Sequence, residues 1–265
     1  MIELPRLPNV KPDGTWSFPS RSSHSYGRRH LYAILTGYEL WNEIIKLKDT
    51  HYLLPGKSTA EKAKYWRLLA CAYINTDRPE EGKTLLAKMG SLLNSQREGK
   101  TKAGATAEAK AKKEKKKTRD IKKAKSDAER PYSTAISTLE RGLAEARMYL
   151  ALKTKNLEEA KAQYSKVRDF RSERKALLQL KFGNQDEAIK LAASAVKSAT
   201  EQARPLAAQA YIFHRANKPD EANTAMKHLR RIAPELDLDV EWFRRLNPLA
   251  KALNLPPDWR LAQPA

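Results

Sequence analysis

The stretch "PGKST" at 55–59 carries the Gly-Lys-Ser ending of a phosphate-binding loop, in which backbone amides cradle nucleotide phosphates. Such a loop begins with a glycine five residues earlier, and this chain has His51 there. No strand-like apolar run precedes the stretch. Ser58 followed by Glu61 instead fits a capping box, which satisfies free backbone amides where a helix starts. The stretch therefore predicts a helix start and no nucleotide site.

Adjacent carboxylates recur along the chain and have the side-chain chemistry of general acid-base catalysts. The pairs are Glu80-Glu81, Glu158-Glu159, Asp186-Glu187 and Asp220-Glu221. A catalytic pair occurs once, in surroundings of its own, whereas each of these pairs follows a predicted turn. Negative charge in the first turn of a helix is stabilised by the helix dipole by about 0.3–1 kcal/mol. We therefore expect the pairs to mark helix starts.

The single cysteine, Cys71, lies between Ala70 and Ala72, and no neighbouring histidine, lysine cluster or second cysteine lowers its thiol pKa. A thiol in that setting is packing material rather than a nucleophile. The five histidines show no metal-ligand spacing. We predict no catalytic residue, no metal ion and no cofactor, and hence no enzyme.

The elements that position these residues follow from apolar spacing. Trp66, Leu69 and Tyr73 share one face of a helix that "NTDRP" interrupts. Pro79 suits the first position of a second helix, where its missing amide hydrogen costs nothing. A small residue at Gly82 lets the two helices approach closely. The pattern predicts an antiparallel helical hairpin.

The same hairpin pattern recurs three times further along the chain. Its turns lie at Lys155-Asn156, Gly183-Asn184 and Ala216-Asn217. Ala188 and Ala222, the small residues after the last two turns, are 34 positions apart. A period in the mid-thirties in helix-turn-helix units is typical of stacked helical arrays.

With this pattern the chain resembles the tetratricopeptide-repeat (TPR) family over roughly 60–95 and 140–235. The matching residues are Trp66, Leu69, Ala70, Tyr73, Gly82, Leu86 and Met89 in the first hairpin, and Leu206, Ala210, Phe213, Ala222, Met226 and Leu229 in the last. Pro234 stands where the family places a helix-ending proline. Met148, Lys175 and Gln179 depart from the family pattern. The resemblance implies an all-α, right-handed array of TPR-like hairpins that acts as a scaffold.

The C-terminal stretch "DLDVEWFRRLNPLAKALNLPPDWR", together with the hairpins, resembles the helical segment of bacterial multidomain proteins that carry a thioredoxin-like (redoxin) domain. No Cys-x-x-Cys motif is present, so redox activity carries over to no residue. This resemblance implies at most a companion module of such a protein.

The TPR resemblance also implies a concave groove, formed by the first helices, that binds an extended peptide. The candidate contact residues are Lys64, Arg67 and Asn75 in the first hairpin and Arg204, Tyr211 and Arg215 in the last. Their charge favours an acidic peptide or a C-terminal carboxylate, although exposed charge is also the default for a solvated surface. The main functional prediction is therefore a protein-interaction scaffold with an acidic partner.

Residues 96–130 differ in composition from the hairpins, with 14 Lys/Arg and 6 Asp/Glu. Ile121 is their only large apolar residue and Gly99 and Gly104 are expected to loosen their start, so we predict an insert that is either a fraying helix or disordered. Because the insert has no aromatic residue for base stacking, any nucleic-acid contact would be electrostatic. The alternative function is therefore binding of nucleic acid or an anionic surface. The candidate phosphate-binding residues are Lys112, Lys113, Lys115, Lys116, Lys117, Lys122 and Lys123.

Composition bounds the remaining organisation. The net charge of +20 favours acidic partners. The first 15 residues lack the apolar run of a signal peptide, and no stretch reaches the ~18 apolar residues of a membrane span, so a cytoplasmic location is the default expectation. The predicted segments are an extended arm over 1–25 pinned by Trp16 and Phe18, a helix pair and first hairpin over 26–95, the insert over 96–130, further hairpins over 131–235, and a capping helix (about 238–254) with a tail over 236–265.

Overall fold

The computed structural model describes residues 9–10, 16–17, 23–56, 58–167 and 170–261. Its helices are α1 (Ser23–Gly37), α2 (Trp41–Leu47), α3 (Thr59–Asn75), α4 (Pro79–Lys113), α5 (Thr118–Lys153), α6 (Leu157–Tyr164), α7 (Ser172–Lys181), α8 (Gln185–Ser198), α9 (Ala203–Arg215), α10 (Pro219–Ile232), α11 (Glu241–Arg244) and α12 (Asn247–Ala252). Two short strands, β1 (Asn9–Val10) and β2 (Trp16–Ser17), pair antiparallel. The anchoring predicted for the Trp16 and Phe18 side chains lies outside the described part.

The chain divides into two compact units. Unit 1 contains the described residues up to Thr36 and those from Trp41 to Val167, and unit 2 contains Gly37–Leu40 and the described residues from Phe170 onward. Within unit 1, α4 packs against α3 and α5, α6 packs against α5, and α3 lies beside α5. Within unit 2, α7 pairs with α8, α9 pairs with α10, and α9 also contacts α7 and α8. The predicted helix pairs are therefore confirmed.

Each turn between paired helices contains one residue in the left-handed conformation. These residues are Asp77, Lys115, Lys155 and Asn217, with φ between 54 and 59°, and Gly183, with φ of 83°. The amide that follows donates to a carbonyl five residues earlier, as from Arg78 to Tyr73 at 2.9 Å, and so satisfies a free carbonyl at the helix end. The acidic pairs occupy the first turns of α4, α6, α8 and α10, which confirms that they mark helix starts.

The first hairpin, α3 and α4, has the predicted cap and the predicted close contact. The backbone amide of Glu61 donates to Ser58 Oγ at 3.2 Å, so Ser58 caps α3. Gly82 lies where α4 crosses α3, because a Cβ at this position would lie 2.6 Å from Cγ1 of the fully buried Ile74. A larger residue at position 82 would therefore force the helices apart.

Two breaks between helices are not located by apolar spacing. That spacing runs without interruption from Leu31 to Ile45 and by itself predicts one helix ending at "LLPG" (53–56). The structure instead has α1 and α2, separated at Glu39 with φ of +56°, as in the helix pair predicted over this part of the chain. The predicted C-terminal helix divides into α11 and α12, and Pro248 lies in the first turn of α12, a position that proline favours. Apolar periodicity continues across both breaks and therefore does not locate them.

The predicted insert over 96–130 is not a separate segment. Its residues extend α4 and α5, which run through both predicted boundaries, α5 continuing through Pro131. The two helices pair along this extension and reverse direction at 114–117. We call residues 96–130 the arm. Although α4 and α5 are long, no described helix is apolar enough to cross a membrane.

Candidate functional site

Small residues lie between the two helices of the arm. The buried and half-buried ones are Ala103, Gly104, Ala107 and Ala111 of α4, and Ala124 and Ala128 of α5, with Ile121 beside them. They recur at steps of three and four residues, which keeps them on one face of each helix. Their small size lets the helices pair without the large apolar side chains that the sequence lacks.

The two glycines of the arm bring its helices together. A Cβ at Gly99 would lie 2.7 Å from Cε1 of Tyr132, and a Cβ at Gly104 would clash with Oε1 of Glu129. The predicted loosening of the arm at these glycines was wrong, because each glycine leaves room for a side chain of the opposite helix.

The turn of the arm gathers its cations at one end, residues 110–123, which we call the tip. The tip contains nine Lys or Arg residues, all exposed, against the two acids Glu114 and Asp120. Lys112 pairs with Glu108 at 2.6 Å, and Lys116 pairs with Glu114 at 2.8 Å. The other seven form no ion pair with a described residue: Lys110, Lys113, Lys115, Lys117, Arg119, Lys122 and Lys123.

Glu108 and Glu114 pair with lysines of the arm and neutralise only part of its positive charge. Hydrogen bonds from Lys112 and Lys125 lower the pKa of Glu108. A hydrogen bond from Lys116 lowers the pKa of Glu114, and the same contact raises the pKa of Lys116. The tip therefore keeps a net positive charge at neutral pH.

All seven lysines predicted as phosphate ligands lie at the tip and are exposed. The sequence interpretation missed Lys110 and Arg119, which belong to the same surface. Both lie in the same charged run, so extending the candidate set along that run would have included them.

The groove candidates of unit 1 differ in how firmly they are held. The Nη1 atom of Arg67 lies 3.2 Å from Oε2 of the buried Glu145 on α5. Nδ2 of Asn75 donates to the carbonyl of Cys71 at 2.8 Å. Lys64 is exposed and pairs with no described acid. Of the three, Lys64 is the residue most available to a ligand.

The groove candidates of unit 2 also differ in how exposed they are. Arg204 is only 8% exposed, with its Nη2 atom 3.2 Å from Oε1 of Glu173 and its guanidinium 4.9 Å from the ring centre of Tyr38. Tyr211 is half-buried against the core of the unit, and Arg215 is exposed. Arg204 therefore serves the interior, and its prediction as a ligand contact does not fit its burial.

Two further arginines of unit 2 are each held between a carboxylate and an aromatic ring. The Nε atom of Arg174 lies 3.6 Å from Glu39, and its guanidinium lies 4.9 Å from the ring centre of Phe170. The Nη2 atom of Arg245 lies 3.0 Å from Glu39, and its guanidinium lies 4.6 Å from the ring centre of Trp242. Burial alone would raise the pKa of Glu39, but the positive charges of Arg174, Arg245 and Lys181 together outweigh burial and lower it. We call the three residues Arg174, Arg204 and Arg245 the arginine cluster.

The remaining candidates for chemistry are dispersed. Cys71 is 2% exposed inside α3, as expected of a packing residue. Over the described part of the chain, no group of three or more His, Cys, Asp or Glu side chains gathers in a way that could hold a metal ion.

Comparison with known protein families, with curated proteins and with solved structures gives no significant match in any of the three. The resemblances to tetratricopeptide repeats and to the helical segment of redoxin-containing proteins therefore stay predictions.

Proposed function

We propose that this protein is a non-catalytic helical scaffold that binds a polyanionic partner through the tip of its arm. The observation that carries the proposal is the set of seven exposed tip cations that form no ion pair with a described residue. Like charges gathered on one surface repel each other, and a bound anion relieves that repulsion. Polyanion binding at the tip is therefore preferred to peptide binding in the groove.

The helical pairing of the arm supports the same proposal. A disordered lysine-rich segment would lose conformational entropy on binding, whereas side chains on paired helices are already positioned. The arm extends over 18 residues of α4, from Gln96 to Lys113, or roughly 27 Å at about 1.5 Å per residue. Its tip is therefore well separated along α4 from the contact of Gly82 with α3.

The scaffold part of the proposal is supported by the antiparallel helix pairs of the two units. Ala188 and Ala222 are both fully buried and occupy equivalent positions after the turns of unit 2. First helices lie side by side in each unit, α3 with α5 and α7 with α9, as TPR-like stacking requires. The acidic pairs act at helix starts, which leaves them a structural role and supports the non-catalytic part.

A peptide-binding surface on unit 1 is a second candidate, favoured by the exposed Lys64 on α3. An acidic peptide or C-terminal carboxylate would pair with this ammonium group. The Lys64→Glu variant separates the two candidates, because it would weaken peptide binding and leave binding at the distant tip unchanged.

Shortening the arm tests the proposal. Residues 100–128 are replaced by a short Gly/Ser linker, which keeps the contact of Gly99 with Tyr132. Because the removed part buries mostly alanine, we expect the free energy of unfolding to change by no more than about 1 kcal/mol. Binding to fluorescently labelled heparin, followed by anisotropy, should be lost. Unchanged heparin affinity in a folded, shortened protein would contradict the proposal.

A further inference from the structure

We infer that the polyanion bound by the arm is a double-stranded nucleic acid, contacted through its phosphates without regard to sequence. The inference rests on the function proposed above and narrows it to one class of partner. The tip offers three observations that bear on the choice: the density of its cations, the kinds of side chain it lacks, and its width.

The density of cations matches a duplex better than a single strand. The tip presents nine cations within 14 consecutive residues that fold back on themselves. A duplex carries one phosphate charge per about 1.7 Å of its axis, twice the density of one strand, and each contact with it releases more counterion. Cations fixed on paired helices are best complemented by a stiff and densely charged surface.

Single-strand binding depends on aromatic side chains that stack on bases, and the tip has none. The nearest aromatic residue along α5 is Tyr132, whose ring lies against Gly99. From Lys123, the last residue of the tip, to Tyr132 the helix rises by roughly 14 Å at about 1.5 Å per residue. The tyrosine ring is therefore part of the packing between α4 and α5 at Gly99 and not part of the tip surface.

Helices that bind a membrane surface bury apolar side chains below the lipid headgroups. The two apolar residues of the tip are Ala111, which is buried, and Ile121, which is half-buried. Neither is presented to a bilayer. A membrane would thus be held by charge alone, without the apolar contact that makes such binding firm.

The width of the arm argues against reading base edges. Two paired helices measure roughly 20 Å across, whereas the major groove is about 12 Å wide. The tip also has no Asn or Gln, the side chains that recognise adenine, and Arg119 is its one arginine. The arm would lie across the phosphate backbone.

Two matched variants test the inference in the full chain. The tip variant carries Lys113→Gln, Lys117→Gln, Lys122→Gln and Lys123→Gln. The control carries Lys88→Gln, Lys197→Gln, Lys227→Gln and Lys251→Gln, at lysines that are exposed and lie outside the arm. Each variant removes four charges, and because Gln forms helix about as well as Lys, both should fold. The probes are two 30-base-pair duplexes of different sequence, one of their single strands, phosphatidylserine vesicles and polyglutamate.

The unmodified protein should bind both duplexes equally and more tightly than the other three probes. The tip variant should lose at least about tenfold in duplex affinity at roughly 0.1 M salt, and its log-log salt slope should flatten by about 0.9 per lost contact. The control should change little. If tip-dependent binding is as strong to the single strand, vesicles or polyglutamate, the duplex inference is wrong and the polyanion proposal stands. If the tip variant and the control lose affinity equally, or if no probe binds, the duplex inference and the polyanion proposal are both wrong.

Discussion

The arm tip and the arginine cluster are both rich in positive charge, yet the chain uses the two in opposite ways. The three arginines are withdrawn from solvent, with side chains between 9 and 16% exposed, and each faces a carboxylate and a ring. The cations of the tip are exposed, and all but one are lysines. One set is neutralised inside a folded unit, and the other is left open to solvent.

The difference follows from the chemistry of the two side chains. A guanidinium is planar, weakly hydrated and able to stack on an aromatic ring, so it tolerates burial beside a carboxylate. An ammonium is a strongly hydrated point charge that is costly to bury but suited to surface phosphate contacts. Net charge alone therefore does not identify a binding surface, and the state of pairing separates structural cations from available ones.

The largest effect is expected where two arginines of the cluster, Arg174 and Arg245, lose the carboxylate that they share. Glu39→Gln leaves Arg174 and Arg245 without their anion in a mostly buried place, which should destabilise the protein by about 2–4 kcal/mol at pH 7. Glu43→Gln is the matched control, because the Glu43 side chain is about half exposed and, among the described residues, pairs with Lys46. The control should cost less than about 0.5 kcal/mol in denaturant unfolding.

The same substitution has a defined pH dependence. Since the pKa of Glu39 is lower in the folded chain than in the unfolded one, its contribution is fully present above the unfolded pKa of about 4.3 and is lost as the pH falls through the folded pKa. The difference between the parent protein and Glu39→Gln should therefore shrink on acidification below about pH 4. A difference that stays constant down to pH 2 would show that the carboxylate is not paired as the structure has it.

A smaller effect on the free energy of unfolding is expected from a substitution between the helices of the first hairpin, and no loss from the same substitution on the open surface of α4. Gly82→Leu would drive a side chain into Ile74 and should destabilise by about 1–3 kcal/mol through overpacking. Gly90→Leu lies on the same helix with no atom within 4 Å of a Cβ, so it should be neutral or stabilise by up to about 1 kcal/mol. Equal losses in thermal unfolding would mean that α4 does not cross α3 at Gly82.

The hairpins could be predicted because their signals are local. The turn residues, the acidic pairs and the small residue at Gly82 each act within one or two turns of helix, and the sequence contains them directly. The break at Glu39 could not, because the residues that pair with its side chain, Arg174 and Arg245, lie far along the chain and leave no local signal.

The helical pairing of the arm and the burial of Arg204 were not predicted, because both depend on contacts formed only in the folded chain. Composition suggested that an alanine- and lysine-rich segment has nothing to bury, but antiparallel pairing turns its alanines into a seam. Arg204 carries no sequence signal that distinguishes it from an exposed arginine, since Glu173 and Tyr38 reach it only through the fold. The close helix contact at Gly142 was also not predicted from the sequence, although a Cβ there would lie 2.8 Å from Cε of Met89.

The smallest effect on stability should accompany an increase in binding. Glu108 is the acid that occupies both Lys112 and Lys125, across the two helices of the arm. Because these pairs are solvent-exposed, Glu108→Gln should leave the free energy of unfolding nearly unchanged. It also frees two ammonium groups and removes one negative charge beside the tip, so the affinity for labelled heparin should rise several-fold at low salt.

Glu158→Gln, at an exposed acid in the first turn of α6, is the control, because it gives the same change of net charge away from the arm. Equal gains from both substitutions would show that overall charge, rather than the tip, governs binding; a gain confined to Glu108→Gln would place the polyanion on the arm.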